Sequence, residues 1–160
     1  MGESASILLE SMGQADAMRK QGEFAQAQAQ MNARFAEMNA KDAQIRGNRE
    51  AENVRTQARQ MRGSQRAQMA AAGLSIEGDT SAAQVIDQTQ MMGELDAQTV
   101  MNNAFKEAWG FRQEAAQSKF QGRMAMMSGN AQAQMTLATG GLRAYNKAAE
   151  SAAKAAGGMG

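Results

Sequence analysis

Not one proline interrupts the 160 residues of this chain. Proline is the firmest stop for a helix, because its ring fixes φ, removes an N–H and collides with the preceding turn. The residues that dominate instead, Ala, Gln, Met, Glu and Arg, are all good helix formers. Strand material is thin: aromatics make up 4% of the chain, and Val, Ile and Tyr are few. From Ser4 to Ala72 the only turn-favouring residues are isolated glycines at 13, 22, 47 and 63. Then comes Gly73-Leu74-Ser75-Ile76-Glu77-Gly78-Asp79-Thr80-Ser81. Gly73 suits the left-handed position that closes a helix. Asp79, Thr80 and Ser81 are all N-cap residues, and Ser81 with Gln84 matches the S-x-x-Q capping box. The expected fold is all-α, a long antiparallel helical hairpin. Residues 1–72 form the first arm, 73–80 the turn, 81–156 the second arm and 157–160 a flexible tail. An unbroken arm of this length is about 100 Å long.

The apolar residues recur with helical spacing. Phe24, Met31, Met38 and Ile45 lie seven apart with Phe35 between them, and Val54, Ala58, Met61 and Met69 continue in a shifted phase. In the second arm Phe105, Trp109, Ala116, Phe120, Met124, Met127, Ala131, Met135, Ala138, Leu142 and Tyr145 follow the same period. A two-helix hairpin covers such stripes only in part, so the chain is expected to assemble into a homo-oligomer or against partner proteins. Phe105, Trp109 and Phe120 are the expected contacts between helices. Interior glycines, at about 1 kcal/mol each relative to Ala, suggest segmented arms with joints at Gly63-Ser64 and Gly140-Gly141.

The chemistry-bearing residue types are sparse. There is no His and no Cys, hence no imidazole base, no thiolate and none of the usual soft metal ligands. Glu94 and Asp96 are close in sequence but fall on different helix faces. The expectation is no enzymatic activity, no catalytic or metal-binding residues and no cofactor. Seventeen basic residues nearly balance sixteen acidic ones, for a net charge of +1, which argues against a protein dominated by nucleic-acid binding. One local basic feature stands out. Arg55, Arg59, Arg62 and Arg66 are spaced four, three and four apart, on one helical face. They are candidates to contact phosphates, genomic DNA included, or an acidic partner surface; the plainer reading is a solvated face.

The N-terminus carries acids and no basic region, unlike a signal peptide. No stretch is apolar enough for a constitutive membrane span. Met124 to Leu142, however, holds no charge across 19 positions. Met suits adaptable apolar surfaces, while the Gln and Asn among these residues are costly in lipid. Gly140, Ala144, Ala148, Ala152 and Ala156 form a ridge of small residues at i+4 spacing, a candidate oligomer contact that allows close helix approach in water or lipid.

Several stretches resemble internal virion proteins of short-tailed bacteriophages. These are Arg62-Gly63-Ser64-Gln65-Arg66-Ala67-Gln68-Met69-Ala70-Ala71-Ala72-Gly73-Leu74, the turn Gly78-Asp79-Thr80-Ser81, Gly93-Glu94-Leu95-Asp96-Ala97, and Asn103-Ala104-Phe105-Lys106-Glu107-Ala108-Trp109-Gly110-Phe111-Arg112. The resemblance covers about residues 46–123 and carries over no catalytic residue. It implies a small protein stored inside the capsid near the portal with larger internal proteins. It also implies expulsion with the genome at infection, into the host cell envelope, to help form a conduit for DNA across the host membrane. The alternatives are a structural adaptor or scaffold that stays in the virion, and a helical pore-forming protein.

Overall fold

The computed structural model describes the backbone of residues 2–75 and 80–157. Two helices account for it: α1, Gly2–Ala71, and α2, Ser81–Gly157, packed as an antiparallel hairpin. Residues 76–79 of the turn, Asp79 among them, and residues 158–160 of the tail lie outside the described residues.

Gly73 ends α1 as its residue type dictates. Its φ is +71°, which costs a side chain dearly and glycine almost nothing. The Gly73 N–H donates to the Ala70 carbonyl and the Leu74 N–H to the Met69 carbonyl, both at 3.0 Å. Those are the two hydrogen bonds of a Schellman cap. At the start of α2 the cap is Thr80. Its Oγ1 accepts from the Ala83 N–H at 3.3 Å, and its carbonyl accepts from the Gln84 N–H at 3.0 Å. The same hydroxyl donates to the Ser75 carbonyl at 3.0 Å, tying the two ends of the turn together. Ser81 is therefore already the first helical residue, which displaces the Ser81–Gln84 capping box expected from the pattern.

Neither arm is segmented. α1 runs unbroken through Gly63-Ser64 and α2 through Gly140-Gly141. Glycine, unlike proline, keeps its N–H, so the backbone ladder survives wherever the helix is held by neighbours or by its flanking turns.

What holds the helices together is a seam of the smallest side chains. Among the described residues the buried apolar side chains are alanines, 15, 33, 36, 40, 43 and 51 on α1 and 97, 108, 115, 133 and 144 on α2, with Ile86 the one exception. Glycines 22, 47, 93, 122, 129 and 140 fill the same stripe. Two compact units share the helices. In the unit Phe35–Glu114, a Cβ added to Gly47 would collide with the Ala104 methyl, and one on Gly93 with that of Ala58. Ala40, Ala43 and Ala108 cluster there with Phe111 against them. In the unit formed by Met1–Arg34 and Ala115–Gly160, Gly140 is set against Ser11 and Gly122 against Ala29. A Cβ on Gly129 would lie 2.8 Å from the Met18 carbonyl oxygen and 3.1 Å from the Gly22 Cα, so at that point backbone meets backbone. In all five facing pairs, 47 with 104, 58 with 93, 11 with 140, 29 with 122 and 22 with 129, the residue numbers add to 151. One register thus applies within both units. Small residues recurring every three or four positions permit this close approach.

Most of the large apolar stripes lie elsewhere, and the hairpin covers them only in part: Ala58 meets Gly93, and Val54 and Met69 are half-buried. Phe24, Met31, Phe35, Met38 and Ile45 are all exposed, and so is every residue of the second-arm stripe from Phe105 to Tyr145. Each of these five α1 residues sits two positions after a seam position, about 200° around the helix. Bulky side chains at the seam would hold the backbones apart, so the packing uses Ala and Gly and leaves Phe, Met and Trp outside.

Candidate functional site

The four arginines do not act as one row. Arg55, on the flank of the seam, is already committed. Its Nε and Nη2 donate to the two carboxylate oxygens of Glu94 across the hairpin at 2.9 and 2.7 Å, a two-pronged fork, and its Nη1 reaches Glu52 at 2.7 Å. Hydrogen bonding from Arg55, with its positive charge behind it, holds the Glu94 carboxyl below the usual carboxylate range. The carboxylates in turn raise the Arg55 pKa, Glu94 most. Arg59 leans back on its own helix, donating to Thr56 Oγ1 at 3.0 Å. Arg62 occupies a seam position where an alanine would continue the pattern. Its Nε is buried with no hydrogen-bond partner. Arg66 is exposed.

A groove of about 190 Å³ lies between the helices here, its walls formed by Arg55, Ala58, Arg59 and Arg62 from α1 and Gln90, Gly93 and Glu94 from α2, with Arg66 outside it. The groove exists because the seam changes character here. Below it Ala58 meets Gly93 closely; above it the partners are larger and polar, with Thr89 donating to the Gln65 side-chain oxygen at 3.0 Å. The Arg row was legible in the sequence, but its division was not. Arg55 and Glu94, whose numbers add to 149, flank the 151 seam and meet only because the antiparallel register brings the two flanks together.

The candidate assembly contacts divide as well. Trp109 is 62% exposed, Phe105 50% and Phe120 56%, so none belongs to the hairpin seam and all are open to a partner. Phe105 also borders a small groove with Gln44, Asn48, Met101 and Ala104. Gly140 and Ala144 are buried within the hairpin, where Gly140 faces Ser11, and are not available to a second molecule. Ala148 and Ala152 remain exposed. The uncharged segment 124–142 is two-sided. Gly129, Ala133 and Gly140 face α1, while Met124, Met127, Met135 and Leu142 are exposed. Among the described residues no helix is long and apolar enough to cross a membrane, and no group of acidic residues could hold a metal ion.

Compared with known proteins, the chain matches the model of the T7 virus internal virion protein gp14 family over residues 4–160. No curated protein matches it. No solved structure matches it either.

Proposed function

The chain belongs to the T7 virus internal virion protein gp14 family, and on that premise we propose that it is held inside the particle near the portal and ejected with the genome, to help form a conduit for DNA across the host envelope. The observation that carries this reading is the inverted use of apolar residues. Alanine and glycine hold the hairpin together while Phe24, Phe35, Trp109, Phe120 and the methionines lie exposed. So much outward apolar surface marks contact with other molecules. The partners we propose are further copies of this chain and the other internal virion proteins, with the host membrane taking their place after ejection. No catalytic step is required of it, and no cofactor.

Passage through a narrow channel requires unfolding and refolding. The contacts within each helix are local, which favours fast refolding. A chain without proline or cysteine has no slow isomerisation or disulfide step. For the membrane stage, the exposed Met124–Leu142 stripe is amphipathic rather than spanning, so several hairpins must associate before it can enter lipid. Since no described helix crosses a membrane unaided, a structural adaptor that stays in the virion is the competing reading. Quantitative mass spectrometry of particles before and after DNA release separates the two. Depletion of this chain from emptied particles is expected. Full retention alongside the portal would replace ejection with the adaptor role.

A further inference from the structure

We propose that the groove between Arg59 and Arg62 is a binding site for a single phosphate group, either free or as one link of a nucleic-acid backbone. The proposal stands apart from whether the protein is ejected.

Three observations carry it. First, a guanidinium nitrogen buried without a partner is expensive, because it has lost its water and gained nothing. Arg62 Nε is in that state, and it lies in the wall of an open groove rather than in a closed core. Second, the local charge is not used up inside the chain. Glu94 and Glu52 are both engaged by Arg55, and among the described residues no ion pair joins Arg59, Arg62 or Arg66 to a carboxylate. Arg59 and Arg62 therefore leave positive charge at the groove. Third, the donor set suits a tetrahedral oxyanion. One edge of a guanidinium satisfies both oxygens of a carboxylate. This groove offers two guanidiniums, Arg59 and Arg62, and the Gln90 amide besides. A phosphate has enough oxygens to use all three. Arg55 is held in place, since each of its three nitrogens already donates to a carboxylate; with Glu94 it forms a fixed wall. The near-neutral net charge fits one phosphate contact rather than a long basic track.

The test uses the full chain and reads the arginine Nε–Hε signals by NMR, assigned with Arg59→Lys and Arg62→Lys. Inorganic phosphate, a short oligothymidylate and a glutamate tetrapeptide are titrated separately at constant ionic strength. Phosphate is expected to move the Arg62 and Arg59 signals saturably, and Arg62→Met to abolish the response. Arg62→Lys, which keeps charge but loses the fork, should weaken it about tenfold. Tighter binding of the oligonucleotide than of phosphate assigns the site to a nucleic-acid backbone; equal or weaker binding assigns it to free phosphate. Arg59→Gln, at an exposed position, serves as the second variant if Arg62→Met loses helix content by circular dichroism. The proposal is overturned by any of three results. These are no saturable shift with phosphate, a glutamate peptide that matches phosphate, and a folded variant that responds as the wild type does.

Discussion

A methyl group moved from one helix to the other tests the seam directly. Gly47 faces Ala104, and there is no room between them for a second Cβ. Gly47→Ala adds helix propensity worth about 1 kcal/mol. It also overpacks the seam, at a cost of about 1–3 kcal/mol. The net effect is a loss of up to about 2 kcal/mol. Ala104→Gly alone forfeits about 1 kcal/mol of propensity and adds the lost burial of its methyl, about 0.8 kcal/mol. In the double variant the methyl has changed sides, so one Cβ again fills the space and stability should return to within about 0.5 kcal/mol of the wild type. The coupling expected in a double-mutant cycle is therefore roughly 2–4 kcal/mol, read from urea unfolding followed by far-ultraviolet circular dichroism. Gly63→Ala and Gly110→Ala are the controls. Both positions open onto empty space, so each should stabilise the chain by about 1 kcal/mol through propensity alone. Additive effects at 47 and 104 would refute the register, and with it the account of which side chains hold the hairpin together.

Gly129→Ala should be more damaging than Gly93→Ala, because its Cβ meets the Met18 and Gly22 backbone rather than a methyl that a partner substitution can remove; comparative urea midpoints check this, and Ala58→Gly should rescue Gly93→Ala. The Glu94 carboxyl titrates below its ordinary range when folded, so its pairing with Arg55 stabilises the hairpin at neutral pH, in full above the ordinary value of about 4.3. That contribution is lost as pH falls through the depressed folded value, so the melting points of the wild type and Glu94→Gln, measured from neutral to acid pH, should converge at the acid end. Met127→Glu with Met135→Glu places charge on the exposed stripe of α2 while leaving the seam intact. It should leave helix content unchanged and abolish dye release from liposomes, and undiminished leakage would remove that stripe from the membrane role.

The hairpin itself was legible because its signals are local. Gly73 can take a left-handed φ at no cost, and Thr80 caps the helix that follows, so both turn ends are written in single residues. The seam was harder to see because hydrophobicity points the wrong way. A periodicity search weighted to large side chains finds Phe24, Met31, Met38 and Ile45, which are the outer face of α1. The informative period was that of the smallest residues, Ser11, Ala15, Gly22, Ala29, Ala33, Ala36, Ala40, Ala43 and Gly47, whose spacing matches Ala104, Ala108, Ala115, Gly122, Gly129 and Gly140 on the other arm. Of the glycines that suggested joints, Gly140 is part of that match, while Gly63 and Gly141 open onto empty space. Glu94 was missed as the partner of Arg55 for a related reason: the two are 39 positions apart, and only an interhelical register relates them.

This division of labour has an energetic consequence. Burying an alanine methyl removes little apolar surface from water, while each Phe, Met or Leu fully covered is worth about 1.5–3 kcal/mol. The seam thus holds the two helices in register through close fit and many small contacts, with cross-helix pairs such as Arg46–Glu107 and Arg55–Glu94 on its flanks. Surface ion pairs of that kind add little strength, though they disfavour a shifted register. The large reserve of hydrophobic free energy stays on the outside, at Phe24, Phe35, Trp109, Phe120 and the Met124–Leu142 face. It can be realised only when those faces are covered. A hairpin built this way is held by close fit and leaves its large apolar side chains outside, the balance that the proposed storage against neighbours and ejection would use.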